Sequence, residues 1–274
     1  MKITTALFAT VALTLSAASS FADDKPASSS SSAASDATKL KVLYITGGGY
    51  HKYDVLTPII VDGIKKHANA DVDVQWNLDG MRDKNLGDGY DAVVYNICFA
   101  GDEKANMLPK EADIDLINNA LRVTREGKPT VVLHCTMHTF MASDDWTEFC
   151  GERTRHHDKY KPFGTIKATP DHPVMKHFPD DWTTEGDELY ETLILPPSTT
   201  PLLKANTKDQ LGNISTVCWV HTYGKGPVFG TTLGHDEKTV SQDAYLRLVA
   251  DGLLWACGKL DDDGNPKAGY GPAN

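Results

Sequence analysis

The sequence has no cluster of positive charge. Among its 274 residues, 27 are Lys or Arg and 37 are Asp or Glu, a net charge of −10, with no run of basic residues. Such a chain repels a phosphate backbone, so nucleic acid is not an expected partner. Past its first residues it also lacks a long apolar run, and a membrane span needs roughly 20 apolar residues. Cysteine is scarce: Cys98, Cys135, Cys150, Cys218 and Cys257 are the five, and no CxxC occurs. That excludes a dense disulfide scaffold; at most two bridges can form, and one thiol stays over. HExxH, GxGxxG and GK[ST] are absent, and no nucleotide cofactor is expected. A composition of 41% hydrophobic and 23% charged residues without repeats excludes collagen, coiled coil and wholesale disorder.

The ends of the chain read as processing and tether segments. Lys2, an apolar stretch from Ile3 to Leu15 and Ser20-Phe21-Ala22 form the pattern of a signal peptide over residues 1–22. The expected protein is exported, periplasmic or secreted, with no membrane span once the signal is cleaved. Residues 23–39 are a Ser/Ala-rich linker with little to bury. One α/β domain over residues 40–258 and a polar tail over 259–274 complete the expected organisation. A homo-oligomer is compatible with this composition.

The interior alternates strands and helices. Lys41 to Thr46 is a β-branched run stopped by Gly47-Gly48-Gly49, and a helix is expected from Thr57-Pro58 to His67 with Pro58 in its first turn. Val72, Val74 and Trp76 alternate as a second strand. Asp91 to Ile97 reads as a third, a helix is expected from Pro109 to Glu126, and Thr130 to His134 forms a fourth strand. Val217 to Tyr223 and Pro227 to Thr232 are a hairpin around Gly224-Lys225-Gly226, and a last amphipathic helix runs from Ser241 to Cys257. Residues 163–191 are turn-rich and show only a short strand at Thr165 to Ala168. The pattern predicts a mostly parallel sheet covered on both faces, with ligands at the carboxyl ends of its strands.

Histidines stand at those ends. His51 follows the first strand, His134 and His138 the fourth, and His235 the hairpin if its second strand lies parallel. Three imidazoles at one edge are ordinary ligands for zinc or a similar divalent ion, and Glu185-Gly186-Asp187-Glu188 offers a carboxylate ligand or base. His156-His157 is either a ligand pair or a wet loop. Cys135 sits where an α/β protein can expose a nucleophile, but Leu133-His134-Cys135-Thr136-Met137 lacks the small residues of a sharp elbow. Packing beneath the site is its expected role. Trp146, Trp182 and Trp219 are either core or a sugar platform.

The ordered set of motifs resembles the ThuA-like (trehalose-utilisation) family. It comprises Thr46-Gly47-Gly48 with His51, His134 with His138-Thr139-Phe140, Asp171-His172-Pro173, Asp187-Glu188-Leu189-Tyr190, Cys218-Trp219, Gly224 to Phe229 and Leu233-Gly234-His235. The resemblance implies a single-domain, flavodoxin-like three-layer α/β sandwich similar to class I glutamine amidotransferases. Pro227 stands where family members often carry Arg, and the amidotransferase nucleophile elbow is not kept. The implied function is carbohydrate processing, as a hydrolase or lyase acting on 3-keto-glycosides or disaccharides. In that reading His138, Glu188 and His235 are catalytic. Gly48, Tyr50, Asp187, Tyr190 and Trp219 bind a small carbohydrate, and His51 and His134 hold a metal. The competing readings are a non-catalytic carbohydrate-binding module and a cysteine hydrolase using Cys135.

Overall fold

The computed structural model describes residues 39–99, 114–140, 143–206 and 214–272. The expected signal peptide and nearly all of the linker lie outside the described residues, as do residues 109–113 of the expected second helix. The described residues fall within one unit, Ser35–Asn274.

Eight strands form the main sheet in the order β2-β1-β3-β4-β10-β9-β8-β6. β1 (Leu40–Gly48), β2 (Ala70–Gln75), β3 (Ala92–Cys98), β4 (Thr130–Leu133) and β10 (Gly226–Thr231) are parallel to their neighbours among themselves. β9 (Ile214–Tyr223) returns antiparallel to β10, and β8 (Thr200–Asn206) and β6 (Ile166–Lys167) extend that half antiparallel. β5 (Arg153–His157) pairs with β7 (Tyr190–Ile194) in a separate ribbon. β8 has no counterpart in the sequence reading, because Thr200-Pro201 looks like a turn and its apolar residues do not alternate cleanly.

The alternation of side chains along each strand divides the core into two layers. Val42, Tyr44 and Val94 pack on the face covered by α1 (Tyr53–His67) and α5 (Asp243–Ala256), with Leu56, Ile60, Ile64, Leu248 and Leu253. Leu43, Ile45, Val93 and Tyr95 face α2 (Ile114–Arg125) and α3 (Asp144–Cys150), with Leu121, Trp146 and Phe149. Strands buried on both faces require helices on both sides, which is the three-layer α/β sandwich.

Three features add to or differ from what the sequence pattern predicts. α1 begins at Tyr53, a turn earlier than expected, so Pro58 lies inside the helix rather than in its first turn. Buried Tyr53 and Leu56 draw that extra turn onto the sheet, and their burial outweighs the hydrogen bond that Pro58 cannot donate. The last helix, expected from Ser241 to Cys257, is α5, and a separate short helix, α4 (Glu237–Val240), precedes it, with Asp236 capping α4 by accepting from the Lys238 N–H. Past Gly258 the polar tail folds back: the Asn69 N–H donates to the Tyr270 carbonyl at 2.9 Å, and Leu260 is buried. No described helix is long and apolar enough to cross a membrane.

One buried imidazole away from the sheet edge gives the fold a pH signature. His221 on β9 is 4% exposed and bonds the Phe149 carbonyl through Nε2 at 3.0 Å. Burial lowers its pKa to about 4 against the opposing pull of its backbone hydrogen bonds. A lowered histidine pKa is stability present above pH 6.5 and lost as pH falls through 4, because the unfolded chain takes the proton first. The stability difference between the native chain and His221→Gln should therefore shift in favour of the variant by about 3 kcal/mol from pH 7 to pH 4. Urea unfolding of both chains across that range checks it; a pH-independent difference would show that His221 keeps an ordinary pKa.

Candidate active site

The carboxyl ends of β1, β3, β4 and β10 lie along one edge, and the residues that follow β1, β4 and β10 contribute to a single pocket. β10 is parallel to β4, which meets the condition for His235 to join the others. At the end of β1, Gly48 (φ 114°) lies against the Cys98 carbonyl of β3, where any Cβ would collide. That close approach accounts for glycine at this position without a sugar contact. The chain then turns through Tyr50, also left-handed at φ 71°, and delivers His51. After β4 the backbone tightens into a single 3-10 turn, His134–His138, and His134 itself adopts φ 45°. A left-handed conformation at a non-glycine residue is strained, and here it aims a buried imidazole into the pocket.

The rings of His51, His134 and His235 converge. Their centroids are 4.7 Å (His51–His134), 5.0 Å (His51–His235) and 5.6 Å (His134–His235) apart. One nitrogen from each lies within 4.8 Å of the other two. His134 is 2% exposed, and its Nδ1 bonds the Thr232 carbonyl at 2.6 Å. As a carbonyl only accepts, Nδ1 carries the hydrogen and Nε2 presents a lone pair. That Nε2, both nitrogens of His51 and Nδ1 of His235 are buried without a hydrogen-bond partner. Buried imidazole nitrogens left unpaired beside one another are what a divalent cation satisfies, so this set fits one.

Glu188 is the hub of the pocket's charge. Its carboxylate stands 3.1 Å from His235 Nδ1, 3.6 Å from His157 Nδ1 and 3.9 Å from His134 Nε2, and it accepts from Tyr190 Oη at 3.4 Å. The His235 contact is close but is not aligned as a hydrogen bond. Burial pushes the Glu188 pKa up, but His235 and the other imidazoles outweigh it, leaving a carboxylate below its usual range. Burial likewise pulls His235 down, and Glu188 more than restores it, so its pKa ends above the ordinary value. Burial and the neighbouring imidazoles keep His51 and His134 neutral.

Asp187 is a clamp rather than a sugar contact. It is fully buried, and its carboxylate accepts from the N–H groups of Gly234 (2.8 Å), His235 (3.1 Å) and Glu188 (2.8 Å). Those bonds fix the loop carrying His235 beside the loop carrying Glu188. Tyr190 is also buried; it touches the rings of His134, His138 and His157 and holds Glu188, so it builds the floor rather than a binding face. Trp219 does not reach the pocket. It is fully buried among Tyr95, Trp146 and Phe149, and its indole N–H donates to the Cys150 carbonyl at 2.8 Å. Trp146 and Trp182 are core as well, and Glu185 is exposed beside the buried clamp. Tyr50 is 70% exposed at the pocket mouth, where it lines a cavity of about 190 Å³ with His51, His235, Asp236 and Glu237.

His138 lies across Tyr190 from Glu188, neutral and with Nδ1 unpaired. Beneath His51, Cys135 is disulfide-bonded to Cys98, so its sulfur is not available as a nucleophile. Cys150, Cys218 and Cys257 remain free. Sequence pattern does not decide between ligand and loop for His157, and it gives no signal for Tyr53 or Tyr160. Tyr160 packs against the His235 ring and donates to Asp236. The doubled histidine is the one sequence signal for His157; only the β5–β7 ribbon, which sets His157 opposite Tyr190, brings it to Glu188.

Comparison with known proteins agrees with this architecture. The ThuA family model, described as trehalose utilisation, matches residues 41–256. No curated protein matches the sequence. Among solved structures, a ThuA-like protein from Parabacteroides merdae superposes with a TM-score of 0.66 at 19% identity, covering 86% of this chain and 98% of that one. A cytoplasmic protein from Salmonella typhimurium superposes with a TM-score of 0.57 at 14% identity, covering 79% and 99%. A Thermoplasma acidophilum protein described as part of a GMP synthase gives 0.52 at 11% identity, covering 81% and 96%. Such identities speak to the fold alone, which is amidotransferase-like. With the family model spanning the sheet, both helical layers and every loop of the histidine pocket, the chain belongs to the ThuA (trehalose utilisation) family.

Proposed function

We propose that this pocket eliminates the C1 substituent from a 3-keto-glycoside, as a lyase or, with later water addition, a hydrolase. The observation that carries the reading is the convergence of His51, His134 and His235 nitrogens within 4.8 Å, beside the Glu188 carboxylate. A ketone at C3 acidifies the C2 proton, so the reaction needs one ionised base, and Glu188 supplies it. Glu188 takes the proton from C2, the C1–C2 double bond forms, and the C1–O bond breaks. The protonated carboxyl then returns its proton to the departing oxygen, so protons balance on one residue. Tyr190 and His157 hold the carboxylate in place, and His138 hydrogen-bonds the leaving group through its free nitrogen. His51, His134 and His235 would hold a divalent cation, which when bound supplies Lewis acidity at the ketone oxygen.

We further propose that the protein works outside the cytoplasm. The residue 1–22 pattern supports this, as does the Cys98–Cys135 disulfide, since such bonds persist in oxidising compartments. Expression of the full chain with N-terminal sequencing should show a mature start at Asp23; an intact Met1 would contradict export.

The function is tested by incubating the purified protein with a panel of 3-keto-glycosides, 3-keto-trehalose included, and measuring release of the C1 substituent. Release is expected with added zinc or a similar ion and should disappear on chelation. Turnover indifferent to chelation would remove the cation from the reading. Sugar binding without any release would leave a carbohydrate-binding module in place of an enzyme.

A further inference from the structure

The sulfur pair below His51 is the part of the pocket that proton transfer from C2 leaves unused. Cys98 is the last residue of β3 and Cys135 the second of the 3-10 turn, with Cα atoms 5.1 Å apart. Both are buried, at 2% and 3% exposure, in a small cluster that Tyr53 completes. One His51 nitrogen and the two sulfurs lie within 4.8 Å of one another. Neither nitrogen of His51 has a hydrogen-bond partner. A single imidazole therefore stands between two donor sets: two further imidazoles on one side and two sulfurs on the other.

We propose that the reduced Cys98–Cys135 pair and His51 form a second metal site, for a thiophilic divalent cation, which the disulfide keeps closed. A dithiol reductant of the thioredoxin class supplies two electrons and two protons, its own sulfurs closing into a disulfide, while the Cys98–Cys135 S–S bond breaks and both cysteines become thiols. On binding, both thiols release their protons to solvent, and the two thiolates and one His51 nitrogen bond the cation, with water in the fourth position. Two sulfurs on one tetrahedral zinc stand roughly 3.8 Å apart, given Zn–S bonds of about 2.3 Å. A Cα separation of 5.1 Å reaches that spacing by side-chain rotation alone. Thiolate donors select zinc and similar soft ions over magnesium or calcium. Because both sets require His51, the oxidation state of the sulfur pair decides which set has it. This site does not depend on the sugar chemistry, nor on cation binding by the three imidazoles.

Cobalt(II) titration of the purified full chain tests it, before and after reduction with a phosphine that is not itself a thiol. The reduced protein should develop sulfur-to-cobalt charge-transfer absorption in the near ultraviolet at one equivalent, and the oxidised protein should not. Cys98→Ser and Cys135→Ser should each abolish the band, while His134→Ala should keep it. Any band of the imidazole set is limited to the weaker visible transitions, shows in the oxidised chain and is lost in His134→Ala, so the two sites fail separately. Should the serine variants not fold, His51→Ala in the reduced state must weaken cobalt binding at least 10-fold. A folded, reduced chain without the charge-transfer band would overturn the proposal. So would a band that survives Cys135→Ser, which would assign it to the remaining cysteines.

Discussion

Replacing Glu188 by Gln is expected to lower turnover of a 3-keto-glycoside by ~10²–10⁴-fold, the range removed with a general base. The amide keeps the size of the side chain and can still accept from Tyr190 Oη, now 3.4 Å from the carboxylate. What it loses is the ability to take the C2 proton and return it. The electrostatics predict a second signature. His235 owes its raised pKa to the Glu188 carboxylate, so in Glu188→Gln the His235 pKa should fall, which NMR of the imidazole protons measures directly. A variant with full turnover would show that another group is the base. A variant with lost turnover and an unmoved His235 would show that the two side chains do not meet as the geometry has them.

Trp219→Ala should cost ~3–5 kcal/mol of stability, the range for truncating a fully buried aromatic. The ring is covered completely, donates its N–H to the Cys150 carbonyl and lies against Gly230 of the neighbouring strand, where a side chain would leave no room for the indole. Truncation leaves both a cavity and an unpaired carbonyl, and these losses add. Chemical denaturation gives the number. The milder Trp219→Phe should bind and turn over sugar as the native chain does, since nothing in the pocket touches this residue. Loss of sugar affinity in a Trp219→Phe protein of near-native stability would restore the residue to the binding surface.

Both expectations follow from contacts that local sequence pattern signals unequally. The strands β1, β3, β4 and β10 are legible because burial on both faces demands continuous apolar runs, and glycine or proline punctuates their ends. From those strands follow the parallel sheet and the edge at which His51, His134 and His235 emerge, because a parallel strand always delivers its next residue to the same side. α1 and β8 are less legible: Pro58 and Pro201 are local breaking signals that burial overrides. Asp187, Tyr190 and Trp219 show the same limit. An acid, a tyrosine and a tryptophan near a pocket look alike in sequence whether they face the ligand or the backbone.

Periodicity over a few residues and one chain direction per strand are enough to place the sheet, its two helical layers and the edge that carries the histidines, and both are written in the sequence. That Glu188 is the carboxylate in the pocket, while Asp187 clamps the backbone beside it, emerges only once the chain is folded. So do the Cys98–Cys135 bond and the approach of His157 to Glu188. The reason is physical: adjacent side chains along an irregular loop point in different directions, and those directions are set by partners distant in the chain. For Asp187 these are the Gly234 and His235 amides, 47 and 48 residues away.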